Sequence, residues 1–130
     1  MKTVIVDTNA FLRFFLNDIV EQKKAFEDAL HKAKRNEIIL IVPQIIIFEI
    51  DFALAKYYHF SKGEIIKRLK SIISRSYLQV QDQNTFIEAI ELYVKYNIAF
   101  VDCFLISKAK VEKADLFTFD QKLKKLQHIP

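Results

Sequence analysis

The chain contains 130 residues, of which 52% are hydrophobic and 28% are charged, so it is expected to fold as a single domain over residues 1–130 and is not a disordered tail. Its single glycine excludes the glycine-rich loops of Rossmann and P-loop proteins, and its single cysteine excludes an internal disulfide and a CxxC site. With 20 Lys and Arg against 16 Asp and Glu, the net charge of +4 allows a polyanionic partner.

The sequence gives no sign of a membrane segment. Its longest uncharged stretch near the middle runs over residues 38–48, well short of the roughly 20 residues that a membrane span needs. The first residues, MKTVIVDTN, do not have the pattern of a signal peptide. We therefore expect a cytoplasmic protein that is not attached to a membrane.

The first half of the chain alternates predicted strands and helices. In chain order, the pattern predicts a strand at Val4–Val6, a short helix at Ala10–Leu16, a helix opened by the capping-box pair Asp18 and Glu21, and a strand at Glu37–Val42. After Pro43, the residues from Gln44 to Tyr58 predict a helix that is apolar on almost every face and therefore central.

The second half continues the alternation. It contains a predicted helix opened by the capping-box pair Ser61 and Glu64, a strand at Tyr77–Val80, a helix from Asp82 to Tyr96, a helix from Asp102 to Lys113, a strand at Leu116–Phe119, and a last basic helix holding Leu123 and Leu126. Strands that alternate with helices indicate parallel pairing. The predicted fold is α/β, a three-layer α/β/α sandwich with a short central parallel sheet.

Four acidic residues stand out because their sequence neighbours are apolar. They are Asp7 after VIV, Glu49 within IIIFEI, Asp102 after AFV, and Asp120 after LFTF. Buried carboxylates need a compensating cation, and oxygen ligands of this kind suit Mg²⁺ or Mn²⁺. Because sites in parallel sheets form at the carboxyl ends of strands, these acids are the candidate catalytic and metal-binding residues.

Structural roles compete with this interpretation. Asp7, Asp102 and Asp120 fit helix caps. Glu49 lies within a predicted helix, where a cap is impossible, and its apolar neighbours predict burial, so its structural alternative is an ion pair. Cys103 fits core packing better than catalysis. Ten phenylalanines fit core packing better than base stacking: Phe11, Phe14, Phe15, Phe48, Phe52, Phe86, Phe100, Phe104, Phe117 and Phe119.

Three segments together resemble a known family: VIVDTNAFLRFF, VPQIIIFEIDFALAKYYHFSKGEII and FVDCFLISKAKVEKADLFTFDQKLKKL. In order and spacing they resemble the PIN-domain nucleases, particularly the VapC-type toxins of prokaryotic toxin–antitoxin pairs. The resemblance spans nearly the whole chain. It implies an α/β sandwich whose acidic pocket binds Mg²⁺ or Mn²⁺ and cleaves RNA.

The resemblance also assigns roles. The family's four acids match Asp7, Glu49, Asp102 and Asp120, and its supporting polar positions match Asn9 and Thr118. Cys103 stands where many relatives carry alanine, and Phe104 makes this segment bulkier than usual, so the shape of the pocket is expected to differ. The implied chemistry is metal-assisted hydrolysis of RNA phosphodiester bonds.

The implied partners are RNA, a cognate antitoxin and a second copy of the chain. Basic residues expected to contact RNA are Arg13, Lys62, Lys67, Arg68, Lys122, Lys124 and Lys125, each of which also fits a solvated face. Tyr57, Tyr58, Phe60 and the helix after Ser61 are the expected protein-binding surface.

Other functions remain open at this point. A PIN fold that binds RNA or protein without turnover, and a processing nuclease without an antitoxin, fit the same residues. A haloacid-dehalogenase-like phosphatase is disfavoured because Asn9 stands where its general acid is needed. A receiver domain is disfavoured because no acid pair lies near the first strand.

Overall fold

A computed structural model describes residues 1–128 of the chain. The chain divides into two compact units, Met1–Gln81 and Asp82–Pro130. Residues 129 and 130, which end the single domain expected over 1–130, lie outside the described residues, and that domain assignment stays a prediction. Within residues 1–128, no helix combines the length and the apolar character that a membrane crossing requires.

The first unit contains a three-stranded sheet and four helices. Its elements are β1 (Lys2–Ile5), α1 (Thr8–Leu16), α2 (Val20–Lys34), β2 (Ile38–Val42), α3 (Gln44–Lys56), α4 (Lys62–Ile73) and β3 (Leu78–Val80). The strands pair in the order β1-β2-β3, and both pairings are parallel. Leu40 of the central strand lies beside Val4 on one side and Leu78 on the other. The predicted α/β fold built on a short parallel sheet is confirmed.

The capping box predicted for the helix after Phe60 is confirmed. The Ser61 hydroxyl accepts a hydrogen bond from the Glu64 amide at 3.2 Å, and the Ser61 amide donates to the Glu64 carboxylate at 3.2 Å. The hydrogen bonds from the Ser61 backbone and side chain lower the pKa of Glu64. With its start fixed, α4 buries Ile65 and Leu69 in the core of the unit.

The capping box predicted at Asp18 and Glu21 is wrong. α2 begins at Val20, its N-cap residue is Ile19, and no side chain caps it. Asp18 instead lies 3.4 Å from the Arg13 guanidinium of α1. Because the helix begins two residues after Asp18, this residue does not occupy the N-cap position.

The second unit is helical in its described part. It contains α5 (Gln83–Lys95), α6 (Phe100–Val111) and α7 (Gln121–Leu126). α5 and α6 pack through stacked aromatic rings, with the Phe86 and Phe100 centroids 6.0 Å apart. A second apolar group joins Leu123 and Leu126 of α7 to Ile106 of α6.

Asp82 precedes α5 as predicted, but it does not cap the helix with its side chain. Its φ of 60° places it in the left-handed region, and its carboxylate pairs with the Lys108 ammonium at 3.0 Å. Lys108 also pairs with Glu112 at 3.0 Å. The hydrogen bonds to Glu112 and Asp82 raise the pKa of Lys108.

The strand predicted at Leu116–Phe119 is not formed, which corrects the fourth strand of the expected sheet. Leu116 packs against the apolar group of α6 and α7, and its amide donates to the Gln127 side-chain carbonyl at 3.1 Å. The Gln127 amide group in turn donates to the Leu116 carbonyl at 3.4 Å. A side chain therefore satisfies the backbone groups that a neighbouring strand would otherwise bind.

The core assignment of the phenylalanines is confirmed for some and wrong for others. Phe11, Phe86, Phe100 and Phe104 are buried, as is Cys103. By contrast, Phe52, Phe117 and Phe119 are 52%, 87% and 83% exposed, respectively. An apolar run is buried only where another element packs against it. Much of the surface of each of these three side chains is open to solvent.

Candidate active site

Asp7 lies where the first strand passes into the first helix. The amide of Val6 still donates to the Ile41 carbonyl of β2 at 2.9 Å, so the chain leaves the sheet at Asp7. The Asp7 carboxylate then accepts a hydrogen bond from the Ala10 amide at 3.2 Å and caps α1. Its side chain is exposed. The structure thus places the first candidate acid at the carboxyl end of β1.

Glu49 lies on α3 and contacts the segment that follows Asp7. The Thr8 hydroxyl donates a short hydrogen bond to the Glu49 carboxylate. The start of α3 is held by Gln81, whose side-chain carbonyl accepts from the Gln44 amide at 2.9 Å. The first two candidate acids therefore lie at the same edge of the sheet in the first unit.

Thr8 is not among the candidate residues that the sequence pattern indicates. The signal was present, because a hydroxyl directly follows Asp7 in the segment DTN. Only the packing of α3 against α1 shows that this hydroxyl meets a carboxylate 41 positions later in the chain. The pattern also gave no indication that Gln81 binds the start of α3.

The expectation that Glu49 is buried is wrong. Its side chain is exposed, although Ile46, Ile47 and Ile50 beside it are buried. Ile45 is 61% exposed and Phe52 is 52% exposed, so α3 has only one covered face despite its composition. Which side chains of a helix are buried depends on the direction in which each one points. A sequence that is apolar on all faces does not indicate which of these directions faces the core.

Asp102 lies in the first turn of α6. The helix begins at Phe100 with Ala99 as its N-cap, two residues earlier than predicted, so Asp102 is not a cap. Its side chain is half-buried. A carboxylate in the first turn interacts favourably with the positive end of the helix dipole. The cap interpretation is therefore wrong for this acid, which lies within the first turn of the helix.

Asp120 caps α7. Its carboxylate accepts hydrogen bonds from the amides of Lys122 at 2.9 Å and Leu123 at 3.1 Å. The Asp120 backbone amide donates to the Thr118 hydroxyl at 3.1 Å, so Thr118 contacts the backbone of this residue, and its expected supporting role stays a prediction. Asn9, the other expected supporting residue, lies exposed in the first turn of α1.

The donor atoms fit a hard divalent cation in type. Asp7 and Asp120 each use one carboxylate oxygen, Oδ1, to cap a helix, and Glu49 uses Oε2 to accept from Thr8. The second oxygen of each remains for a ligand of the kind that Mg²⁺ or Mn²⁺ prefers. Among residues 1–128, no three His, Cys, Asp or Glu side chains are close enough to form a metal site.

The basic residues expected to contact RNA have different environments. Lys67, Lys122, Lys124 and Lys125 are exposed, whereas Arg13, Lys62 and Arg68 are half-buried. The Lys122 ammonium donates to the Asn97 carbonyl at 2.8 Å, and the Arg68 guanidinium lies 5.3 Å from the centre of the Phe60 ring.

A family model described as PIN domain matches residues 4–129 of the chain. The chain belongs to the PIN domain family. A curated relative, the VapC ribonuclease of Aquifex aeolicus (strain VF5), is 27% identical over 123 residues, covering 94% of this chain and 90% of the relative. The predicted resemblance to PIN-domain proteins of the VapC type is confirmed, and so is the fold that it implies.

The capping contact of Asp120 in this PIN domain predicts a difference between two substitutions. Asp120→Ala should lower the free energy of unfolding by about 1 kcal/mol because α7 loses its cap, whereas Asp120→Asn should cost a few tenths because asparagine also caps well. Urea denaturation measures both, with Asp115→Ala in the exposed segment before Leu116 as the control. Equal losses for the alanine and asparagine variants would contradict the capping role.

Proposed function

We propose that this PIN-domain chain is an endoribonuclease that requires Mg²⁺ or Mn²⁺ and acts in the cytoplasm as the toxin of a toxin–antitoxin pair. The observation that carries the proposal is the combination of a PIN match over residues 4–129 with a relative named VapC ribonuclease that aligns with 94% of the chain. The substrate under this proposal is RNA, and the inhibitor is a cognate antitoxin protein.

The proposed metal ligands are Asp7, Glu49, Asp102 and Asp120. Their carboxylates are the oxygen donors that the chemistry needs, and a bound cation would supply stabilisation of the negative charge that develops on the phosphodiester. The chain's own contribution is orientation. Thr8 holds one oxygen of Glu49, and the capping bonds of Asp7 and Asp120 fix the direction of their carboxylates.

The basic residues are proposed to attract the RNA backbone. Lys67, Lys124 and Lys125 are exposed and carry the diffuse positive charge that steers a polyanion. The same proposed set also contains Arg13, Lys62, Arg68 and Lys122. Lys122 donates to the Asn97 carbonyl, and Arg13 lies beside Asp18, so their contribution is expected to be smaller.

The nuclease is tested by removing the metal and one ligand separately. Purified protein is incubated with transfer, ribosomal and messenger RNA in Mg²⁺ or Mn²⁺, with EDTA and with Asp102→Asn. Cleavage at discrete positions should disappear in EDTA and fall at least about 100-fold in the variant, since even partners of ligands commonly account for 10- to 100-fold. Asp115→Asn is the matched control and should cleave normally.

The other functions predict different results in the same experiment. A binding module without turnover would cleave no RNA and would keep its RNA or protein affinity in EDTA and in Asp102→Asn. A processing nuclease would cleave RNA without arresting growth when it is expressed alone. Growth arrest on expression, relieved by co-expression of a neighbouring gene product, would support the toxin.

Thr8 is proposed as a positioning residue for Glu49. Thr8→Val keeps the shape of the side chain and removes the hydroxyl, so cleavage should fall about 10-fold and the Mn²⁺ concentration for the half-maximal rate should rise. Thr8→Ser, which keeps the donor, should restore both values. Thr3→Val on exposed β1 is the control. An unchanged Mn²⁺ requirement in Thr8→Val would reject the positioning role.

The proposed homodimer surface is the aromatic group at the end of α3. Phe52, Tyr57 and Tyr58 are exposed, and the Phe52 and Tyr57 rings lie 5.9 Å apart. Exposed aromatic residues of this kind are enriched in protein interfaces. Phe60 and α4 belong to the same expected surface. Ile65 and Leu69 of α4 are buried in the unit, so only the other face of this helix is available to a partner.

Sedimentation equilibrium tests this surface. The double substitution Tyr57→Ser and Tyr58→Ser should convert a dimer to a monomer, because interfaces depend on a few aromatic anchors. Val94→Ser, which replaces another exposed apolar side chain, is the control and should leave the dimer intact. A dimer that persists in the double variant, or a wild-type monomer, would remove this surface from the proposal.

A further inference from the structure

A cavity with charged groups in its lining lies in the first unit, at the opposite end of the sheet from Asp7. Its volume is about 200 Å³, and it is lined by Phe14, Glu27, His31, Lys34, Arg75 and Tyr77 among others. Arg75 and Tyr77 directly precede β3, at its amino end. Asp7 follows the carboxyl end of β1, and the strands are parallel. The cavity is therefore separate from the candidate acids of this unit.

Arg75 is held rigidly in this cavity by neutral groups. Its Nε donates to the Ser71 carbonyl at 2.9 Å, its Nη1 donates to the Tyr77 hydroxyl at 2.7 Å, and its guanidinium lies 5.6 Å from the centre of the Phe14 ring. These bonds use two of the five N–H donors of the guanidinium. Within residues 1–128, no carboxylate lies within ion-pair distance of Arg75.

The cavity carries an excess of positive charge. Lys34 and His31 lie in the last turn of α2, and Glu27 lies one turn earlier on the same side of the helix. Two permanent cations, Arg75 and Lys34, thus face a single carboxylate. A half-buried guanidinium without a counter-ion is costly, which favours the entry of an anion from solution.

We propose that this cavity binds a phosphate group, carried either by a free nucleotide or by an RNA strand. A fixed guanidinium fork beside a flexible ammonium is the donor set that suits the several oxygens of a phosphate. The Tyr77 and His31 side chains supply further polar contacts, and the Phe14 ring supplies an apolar wall. The RNA alternative rests on the proposed ribonuclease function, whereas the nucleotide alternative does not.

Nuclear magnetic resonance tests the cavity without cleavage. The Arg75 side-chain Nε–Hε signal and the amides of Lys34 and Tyr77 are followed in EDTA while inorganic phosphate, adenosine 5′-monophosphate or a 12-nucleotide RNA is added. Saturable shifts at these three positions are expected, with a dissociation constant of about 1 mM for phosphate. The absence of saturable shifts up to about 20 mM phosphate would overturn the proposal.

Matched variants separate a built site from diffuse attraction. Lys34→Gln should weaken phosphate binding about tenfold, and Arg75→Lys, which keeps the charge but loses the fork, should weaken it as well. Lys24→Gln makes the same charge change at an exposed position of α2 outside the cavity and should have no effect. Glu27→Gln should tighten binding. Equal effects of Lys34→Gln and Lys24→Gln would overturn the proposal, even if Arg75→Lys did not fold.

The probes distinguish the two sources of phosphate. RNA that binds at least about tenfold more tightly than the mononucleotide, with the same dependence on Lys34, assigns the cavity to the RNA strand. Tighter binding of the mononucleotide assigns it to a free nucleotide. Binding is measured without metal and does not depend on cleavage. A protein that binds phosphate but does not cleave RNA would therefore contradict the proposed nuclease and would not contradict the phosphate site.

Discussion

The parallel pairing of β2 with β1 on one side and β3 on the other determines where every loop of the first unit lies. The register brings Val4, Leu40 and Leu78 side by side, so the carboxyl ends of β1 and β2 meet at one edge. Asp7 leaves the sheet there, and α3 begins just after β2 at the same edge. The contact between Thr8 and Glu49 follows from this geometry, because both helices start from neighbouring strands.

The same constraint separates two kinds of charge. The carboxyl edge of the sheet carries Asp7 and Glu49, and the amino end of β3 carries Arg75 beside the basic last turn of α2. Carboxylates at one edge suit a cation, whereas an unpaired guanidinium at the other suits an anion. The fold thereby keeps these two groups of opposite charge in the first unit apart, whereas charges that lay closer together would neutralise each other.

The sequence predicted those features that depend on local pattern. The β-branched runs gave three strands, and Ser61 with Glu64 gave a capping box. It failed where a polar side chain outside the local motif decided the outcome. Gln127 binds the backbone of Leu116 in place of a strand, and Asp18 turns toward Arg13 and leaves α2 uncapped. The strand and capping patterns do not indicate which partner a polar group will meet in the neighbouring element.

For the candidate acids too, the sequence predicts some properties and not others. The positions of Asp7 and Asp120 at element ends can be predicted from the sequence. The exposure of Glu49 cannot, because buried neighbours such as Ile46 and Ile50 suggest that it is buried too. Capping and metal binding do not exclude each other, because Asp7 and Asp120 cap helices through one carboxylate oxygen and keep the other. A cap also fixes the carboxylate in one direction, which reduces the entropy lost on binding a cation. The structural role of these acids is therefore compatible with the proposed catalytic one.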